Sequence, residues 1–306
     1  MLPKILKGII PPIVTPLLSP EKLDTDGLQK LIEHVITGGV HGIFVLGTTG
    51  EGPSLSKPLQ FELIQRSTEQ ISGRIPVLVG ISSASFGNSL ELAEHAASCG
   101  ADAVVLAPPY YFPSGQPELL EYLEHLAPRL PLPLFLYNMP SMTKNYLSPQ
   151  LVEKLAGLPW ISGCKDSSGN MSDFHDLLLR LGNKDDFSIF IGPEELISDA
   201  ILAGADGAVT GGANVNPALF VNMFHAACNK DMAAVNELLP KIYHLRRLYS
   251  VVSTPNAIAR GLKCAVKELG ICEDFPVAPC RTFDDLQRAE VIRLLKEMSA
   301  ELAVCR

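Results

Sequence analysis

Residues 160–167 read Trp160-Ile161-Ser162-Gly163-Cys164-Lys165-Asp166-Ser167. The run is short and mostly apolar, a strand by its look, and it ends on a lysine. A lysine inside a buried parallel strand is costly, because desolvation disfavours the ammonium. One reading is a lysine at a strand end reaching out to water, as most lysines do. The other is a lysine aimed into a cleft, where its amine attacks a carbonyl. The rest of the chain decides between the two.

Working outward, similar apolar runs recur at 9–17, 42–47, 76–81, 103–107, 132–137, 187–191 and 207–210. Helical stretches follow them at 24–37, 57–71, 86–98, 117–127, 148–156, 172–181, 194–203 and 217–228, with Asp24 as a cap and Gly38-Gly39 as a stop. Runs that are apolar throughout suit strands buried on both faces. Strands alternating with helices imply a parallel sheet. Eight such units imply closure into a (β/α)8 TIM barrel. An open doubly wound sheet would want a glycine-rich phosphate fingerprint, and none occurs. Residues 231–306 hold three further helical stretches, at 231–250, 255–269 and 283–303. The expectation is a barrel over 1–230 that carries the site, and a C-terminal helical appendage over 231–306.

Composition agrees. The chain has 306 residues, 47% hydrophobic and 19% charged, enough apolar material for one large core. The formal charge of −8 gives no nucleic-acid or anionic-membrane surface. Seven scattered cysteines with no C-x-x-C pair suit a reducing, cytoplasmic setting. Lys4 and Lys7 precede an apolar run in the manner of a signal peptide, but Pro11, Pro12 and Pro16 interrupt it. No run is long enough to span a membrane. The seven histidines are dispersed, so no metal site is expected.

In such a barrel the chemistry sits where strands end. Strand two is followed by Gly47-Thr48-Thr49-Gly50-Glu51 and strand four by Pro108-Pro109-Tyr110-Tyr111. Strand five ends in Tyr137-Asn138-Met139-Pro140, strand six in Lys165-Asp166. Gly192-Pro193-Glu194-Glu195 follows strand seven, and Gly211-Gly212 follows strand eight. Each has an ordinary explanation alone: turn threonines, a surface tyrosine, acids at a helix start. Their coincidence with a strand-end lysine favours imine formation. A lysine amine, with an ordinary pKa of about 10.4, is freed for attack in an apolar barrel. Carbinolamine chemistry needs a proton carrier, and Tyr137, one strand away, can be one. Thr48 and Tyr111 extend a hydroxyl relay. The loop Gly47 to Gly50 lets backbone N–H groups approach a carboxylate.

G-T-T-G-E at 47–51, Y-N-x-P at 137–140 and the lysine of strand six resemble the dihydrodipicolinate synthase/N-acetylneuraminate lyase superfamily. The resemblance implies a class I, pyruvate-dependent aldolase or lyase, without metal or other cofactor, assembled as a homotetramer or homodimer. By position it makes Lys165 the Schiff-base lysine and Tyr137 the proton shuttle. It makes Thr48 and Thr49 the carboxylate-binding pair, and Tyr111 a relay tyrosine often lent by a neighbouring subunit. Val209 falls where a carbonyl of strand eight faces the site. Dihydrodipicolinate synthases resemble Y-N-x-P-x-R-T-G, whose arginine holds the carboxylate of aspartate semialdehyde. Here Met142 replaces that arginine and Lys144 the glycine. A thioether cannot bind a carboxylate as a guanidinium does. Glu194 and Glu195 align with acids that bind sugar hydroxyls in sialic acid lyases, although Gly211 lacks a hydroxyl found in some of them. The pattern leans to a 2-keto-3-deoxy sugar acid or sialic-acid-like substrate, yielding pyruvate and an aldehyde. The alternatives are a dihydrodipicolinate synthase, a 2-oxo acid dehydratase, or a non-catalytic binder on the same scaffold.

Overall fold

The computed structural model describes residues 5–304, the last six by backbone alone; Lys4 and Cys305 lie outside them. The elements are β1 (Gly8–Ile9), a hairpin of β2 (Leu17–Ser19) and β3 (Lys22–Leu23), α1 (Thr25–Thr37), β4 (Ile43–Val45), α2 (Lys57–Ile71), β5 (Val77–Gly80), α3 (Phe86–Ser98) and β6 (Ala103–Leu106). There follow α4 (Gln116–Leu126), β7 (Leu134–Asn138), α5 (Pro140–Thr143), α6 (Pro149–Ala156), β8 (Ile161–Asp166), α7 (Met171–Leu181), β9 (Ser188–Ile191), α8 (Ile197–Leu202), β10 (Gly207–Ala208) and α9 (Pro217–Cys228). The tail carries α10 (Met232–Arg246), α11 (Ala257–Glu268) and α12 (Asp285–Val304).

Eight strands form one parallel sheet in the order β1-β10-β9-β8-β7-β6-β5-β4. The ring closes between its ends. The Phe44 N–H donates to the Pro11 carbonyl at 2.9 Å, and the Ile13 N–H donates to the Phe44 carbonyl at 3.0 Å. The fold is a (β/α)8 barrel with C-terminal helices. The expected first strand at 9–17 is corrected: only Gly8–Ile9 joins the barrel sheet, with an isolated bridge at Pro12, and Leu17 already belongs to the separate hairpin. Prolines 11, 12 and 16 carry no N–H and cannot extend a ladder. The helix expected at 194–203 divides into a 3-10 turn at Glu194–Leu196 and α8.

Alternation along the strands builds two apolar layers. Ile10, Phe44, Val105, Phe135, Tyr137 and Phe190 pack inside the ring, and Leu6 joins them. Leu106, Leu134, Leu136, Cys164, Ile189 and Ile191 face outward into the layer covered by helices. Leu245, Leu248, Leu262 and Val266 of the tail belong to that same outer layer. Among the described residues no helix is long and apolar enough to cross a membrane.

The pairing of β7 with β8 is irregular. Leu134 faces Ile161, but Phe135 faces Gly163, so Ser162 is an extra residue in β8. Such a bulge reverses the side-chain parity beyond it. Ile161 and Cys164 therefore both point outward, and Lys165, opposite Tyr137 and Phe190, points inward. Gly163 is the residue that permits it. A Cβ there would come within 2.4 Å of the Phe135 ring.

Candidate active site

The C-terminal ends of the strands open into a cavity of about 930 Å³. Lys165 is buried at its floor, 6% exposed. Its Nζ lies 4.0 Å from the centroid of the Tyr137 ring and 5.4 Å from that of Phe44. The Tyr137 hydroxyl is 3.3 Å from Thr48 Oγ1. Burial pushes the Tyr137 phenol up, but the charge of Lys165 and polar contacts from Thr48, Lys165 and Ser167 together outweigh it. The phenol ends below its ordinary value, suited to trading a proton with a neighbouring amine. At the strand ends, Asp166 accepts from Asn138 Nδ2 at 2.6 Å and from Ser168 Oγ at 2.7 Å. Asn138 Oδ1 accepts from the Leu147 N–H at 3.0 Å. This network pins the ends of β7 and β8 side by side. Gly192 is required by the site: a Cβ there would sit 1.9 Å from Ser167 Oγ.

The structure brings together Gly47, Thr48, Thr49, Tyr137, Met142, Lys165, Glu194, Glu195, Val209 and Gly211 on the cavity wall. Two expected site residues are not on it. Tyr111 is 71% exposed and packs edge-to-face on Phe112 at 4.9 Å. The loop is held by Asn145, which donates to the Pro109 carbonyl at 2.5 Å and accepts from the Ser114 N–H at 2.6 Å. So fastened, it turns Tyr110 to the cavity and Tyr111 outward. Gly50 packs against the barrel backbone instead, where a Cβ would meet the Ile13 carbonyl at 2.8 Å. Lys144, considered as a substitute cation, is exposed and off the wall.

The two acids differ. Glu194 is buried; it accepts from the Gly212 N–H at 2.6 Å and from the Tyr249 hydroxyl at 2.8 Å. Burial pushes its carboxyl up to about 7, against the pull of those hydrogen bonds and of Arg246. Glu195 pairs with Arg246 at 2.7 Å through Oε1, while its Oε2 is buried with no hydrogen-bond partner. Glu51 turns away from the strand ends to an ion pair with Lys263 of α11, and it accepts the Val277 N–H at 3.1 Å. The sequence reading missed the tail's share of the wall: Arg246, Tyr249, Arg260 and Arg281. These residues follow no strand, so strand-end reasoning had no reason to select them. Among the described residues, no three His, Cys, Asp or Glu side chains cluster as a metal site requires.

Residues 5–298 match the model of the dihydrodipicolinate synthetase family. The 4-hydroxy-tetrahydrodipicolinate synthase of Pseudomonas aeruginosa is 31% identical over 266 residues, 87% of this chain and 89% of that one. A probable 2-dehydro-3-deoxy-D-pentonate aldolase of Escherichia coli is 32% identical over 81% of this chain and 83% of its own length. Among solved structures, a dihydrodipicolinate synthase from Bacteroides thetaiotaomicron superposes with a TM-score of 0.93 at 48% identity, covering 95% of this chain and 98% of that one. YagE of Escherichia coli, a prophage protein of the dihydrodipicolinic acid synthase family solved with pyruvate, superposes with a TM-score of 0.90 at 28% identity, covering 96% and 98%. With the match running almost end to end, the chain belongs to the dihydrodipicolinate synthetase family and is an enzyme of the class I, pyruvate-dependent aldolase and lyase type.

Proposed function

We propose that the protein reversibly cleaves a hydroxylated 2-oxo acid of the 2-keto-3-deoxy sugar-acid kind into pyruvate and an aldehyde, with Lys165 as the imine-forming residue. One observation carries this reading: a buried amine 4.0 Å from the Tyr137 ring, at a cavity floor where the Tyr137 and Thr48 hydroxyls meet. The Lys165 amine adds to the 2-oxo carbonyl, and the carbinolamine loses water to leave a protonated imine. The C3–C4 bond then breaks. Its electron pair flows toward the imine nitrogen, and the C4 hydroxyl yields its proton to Tyr137 as the aldehyde departs. Protonation of the enamine at C3 and addition of one water return pyruvate and the free amine. Thr48 and Thr49 hold the carboxylate beside Gly47, with Val209 on the same cavity wall. Tyr111, projecting outward, serves the site of a second copy of the chain.

On the substrate side, Met142 stands where a semialdehyde carboxylate would want an arginine. Glu195, on the cavity wall and oriented by Arg246, is the acid that takes a sugar hydroxyl, and Glu194 fixes the loop beside it. A second reading, condensation of pyruvate with aspartate semialdehyde, is favoured by the 48% identity to the Bacteroides protein described as a dihydrodipicolinate synthase. Borohydride reduction in the presence of pyruvate tests the common step: a stable pyruvyl adduct on Lys165 is expected, lost in Lys165→Ala. An adduct on another lysine would overturn the assignment. Pyruvate release from a panel of 2-keto-3-deoxy sugar acids, against pyruvate consumption with aspartate semialdehyde, then separates the two readings. Faster turnover with the semialdehyde than with every sugar acid sinks the first.

A further inference from the structure

The cavity holds more positive charge than imine chemistry uses. Four cationic side chains line it: Lys165, Arg246, Arg260 and Arg281. Three acids line it too, and each is already engaged. Glu51 is paired with buried Lys263. Glu195 is paired with Arg246. Glu194 is buried under hydrogen bonds from Gly212 and Tyr249, which hold it in the wall. Arg260 and Arg281 therefore face the cavity with no carboxylate partner among the described residues. The pyruvyl carboxylate at Thr48 and Thr49 answers the charge of Lys165 and leaves theirs unanswered.

Arg260 is also held in place without being satisfied. Its guanidinium lies over the Phe283 ring at 4.8 Å, and its Nε is buried with no hydrogen-bond partner. Phe283 is itself buried and sits two residues beyond Arg281, so this contact brings the two arginine-bearing segments together. Arg260 belongs to the first turn of α11, whose positive end adds to the same field. The Asn256 side chain, which would cap that helix, makes no capping bond and contacts Thr254 and Cys280 instead. A guanidinium fixed on an aromatic face, lining the cavity and with no hydrogen bond or ion pair to the protein among the described residues, is suited to a planar or tetrahedral oxyanion.

We propose that Arg260 and Arg281 form a subsite for a second anionic group on the substrate, at the end remote from the 2-oxo acid. The ligand is thus a 2-oxo acid whose aldehyde half carries a terminal phosphate or carboxylate. The inference rests on the reading of Lys165 as the imine lysine and sharpens the substrate class of the same site.

The test is condensation of pyruvate with D-glyceraldehyde, D-glyceraldehyde 3-phosphate and tartronate semialdehyde, compared as kcat/KM. A charged hydrogen bond of this kind changes binding by about 10- to 100-fold. One of the two anionic aldehydes is expected to exceed the neutral one by that factor, and which one does identifies phosphate or carboxylate. Arg260→Met and, separately, Arg281→Met should lower the anionic-to-neutral ratio by about tenfold. A ratio near one in the parent enzyme, or an equal fall with all three aldehydes in both variants, overturns the subsite. Absence of a borohydride-trapped pyruvyl adduct in the parent would instead overturn the imine reading beneath it.

Discussion

At the scale of single residues, the proposed chemistry rests on a buried phenol beside a buried amine. Tyr137 is buried, and its hydroxyl has Thr48 as partner. Tyr137→Phe keeps the ring that Lys165 rests on and deletes only the hydroxyl. It is expected to slow turnover by about 10²–10⁴-fold, the usual worth of a positioned proton carrier, with a far smaller change in pyruvate binding. Single-turnover kinetics will check this, and a rate within a few-fold of the parent would assign proton transfer to another group. Glu194 makes a separate prediction about stability. Its carboxyl is raised from 4.5 to about 7 on folding, so the native state holds that proton more tightly than the unfolded chain. The contribution is therefore full below pH 4.5 and is lost as pH rises through 7, a change of about 3 kcal/mol. Glu194→Gln removes it. The variant should gain on the parent in urea midpoint between pH 4.5 and 7, and a pH-independent difference would show that Glu194 does not titrate in that window.

At the scale of elements, the loop after β4 is fastened to the tail. Glu51 adopts a left-handed backbone conformation at φ 55°. Its carboxylate reaches Lys263 and the Val277 N–H, and Lys263 also donates to the Phe275 carbonyl at 2.9 Å. Both side chains are buried. Removing one partner of a buried pair strands the other charge, at about 3–5 kcal/mol. Lys263→Met is expected to lose that much in denaturant unfolding and to raise the KM for pyruvate, because Thr48 and Thr49 sit on the same loop. Glu51→Gln combined with Lys263→Met should recover most of the stability. A double variant as unstable as the single one would mean that packing, rather than charge, holds the loop.

At the scale of the whole molecule, barrel and tail share one apolar layer and one cavity wall. Tyr111 and Phe112 stand out from the surface, 71% and 75% exposed. The proposal that Tyr111 completes a partner's relay predicts complementation. Lys165→Ala chains keep Tyr111 but lack the amine; Tyr111→Phe chains have the reverse defect. Co-expressed, they should form mixed assemblies with more activity than the two separate preparations summed. No gain, in assemblies shown by mass to be mixed, would place the tyrosine's action within its own chain or outside the reaction.

Much of this was legible in the chain itself. Apolar runs with helical stretches between them specify a parallel sheet, because a strand without polar alternation has to be covered on both faces. Strand ends then mark the mouth, so the places of Thr48, Tyr137 and Lys165 on the cavity wall follow from order alone. The first strand was overread, since apolar content does not reveal that prolines deny it a ladder. The orientation of Lys165 was a matter for the tertiary structure. Counted by strict alternation from outward-facing Ile161, Lys165 would face the helices. The extra residue at Ser162 exists only as a register between β7 and β8, and it turns the amine into the barrel. The arginines of the tail were hidden for a related reason. A helix packed across a barrel mouth is placed by contacts distant in sequence, which no local period records.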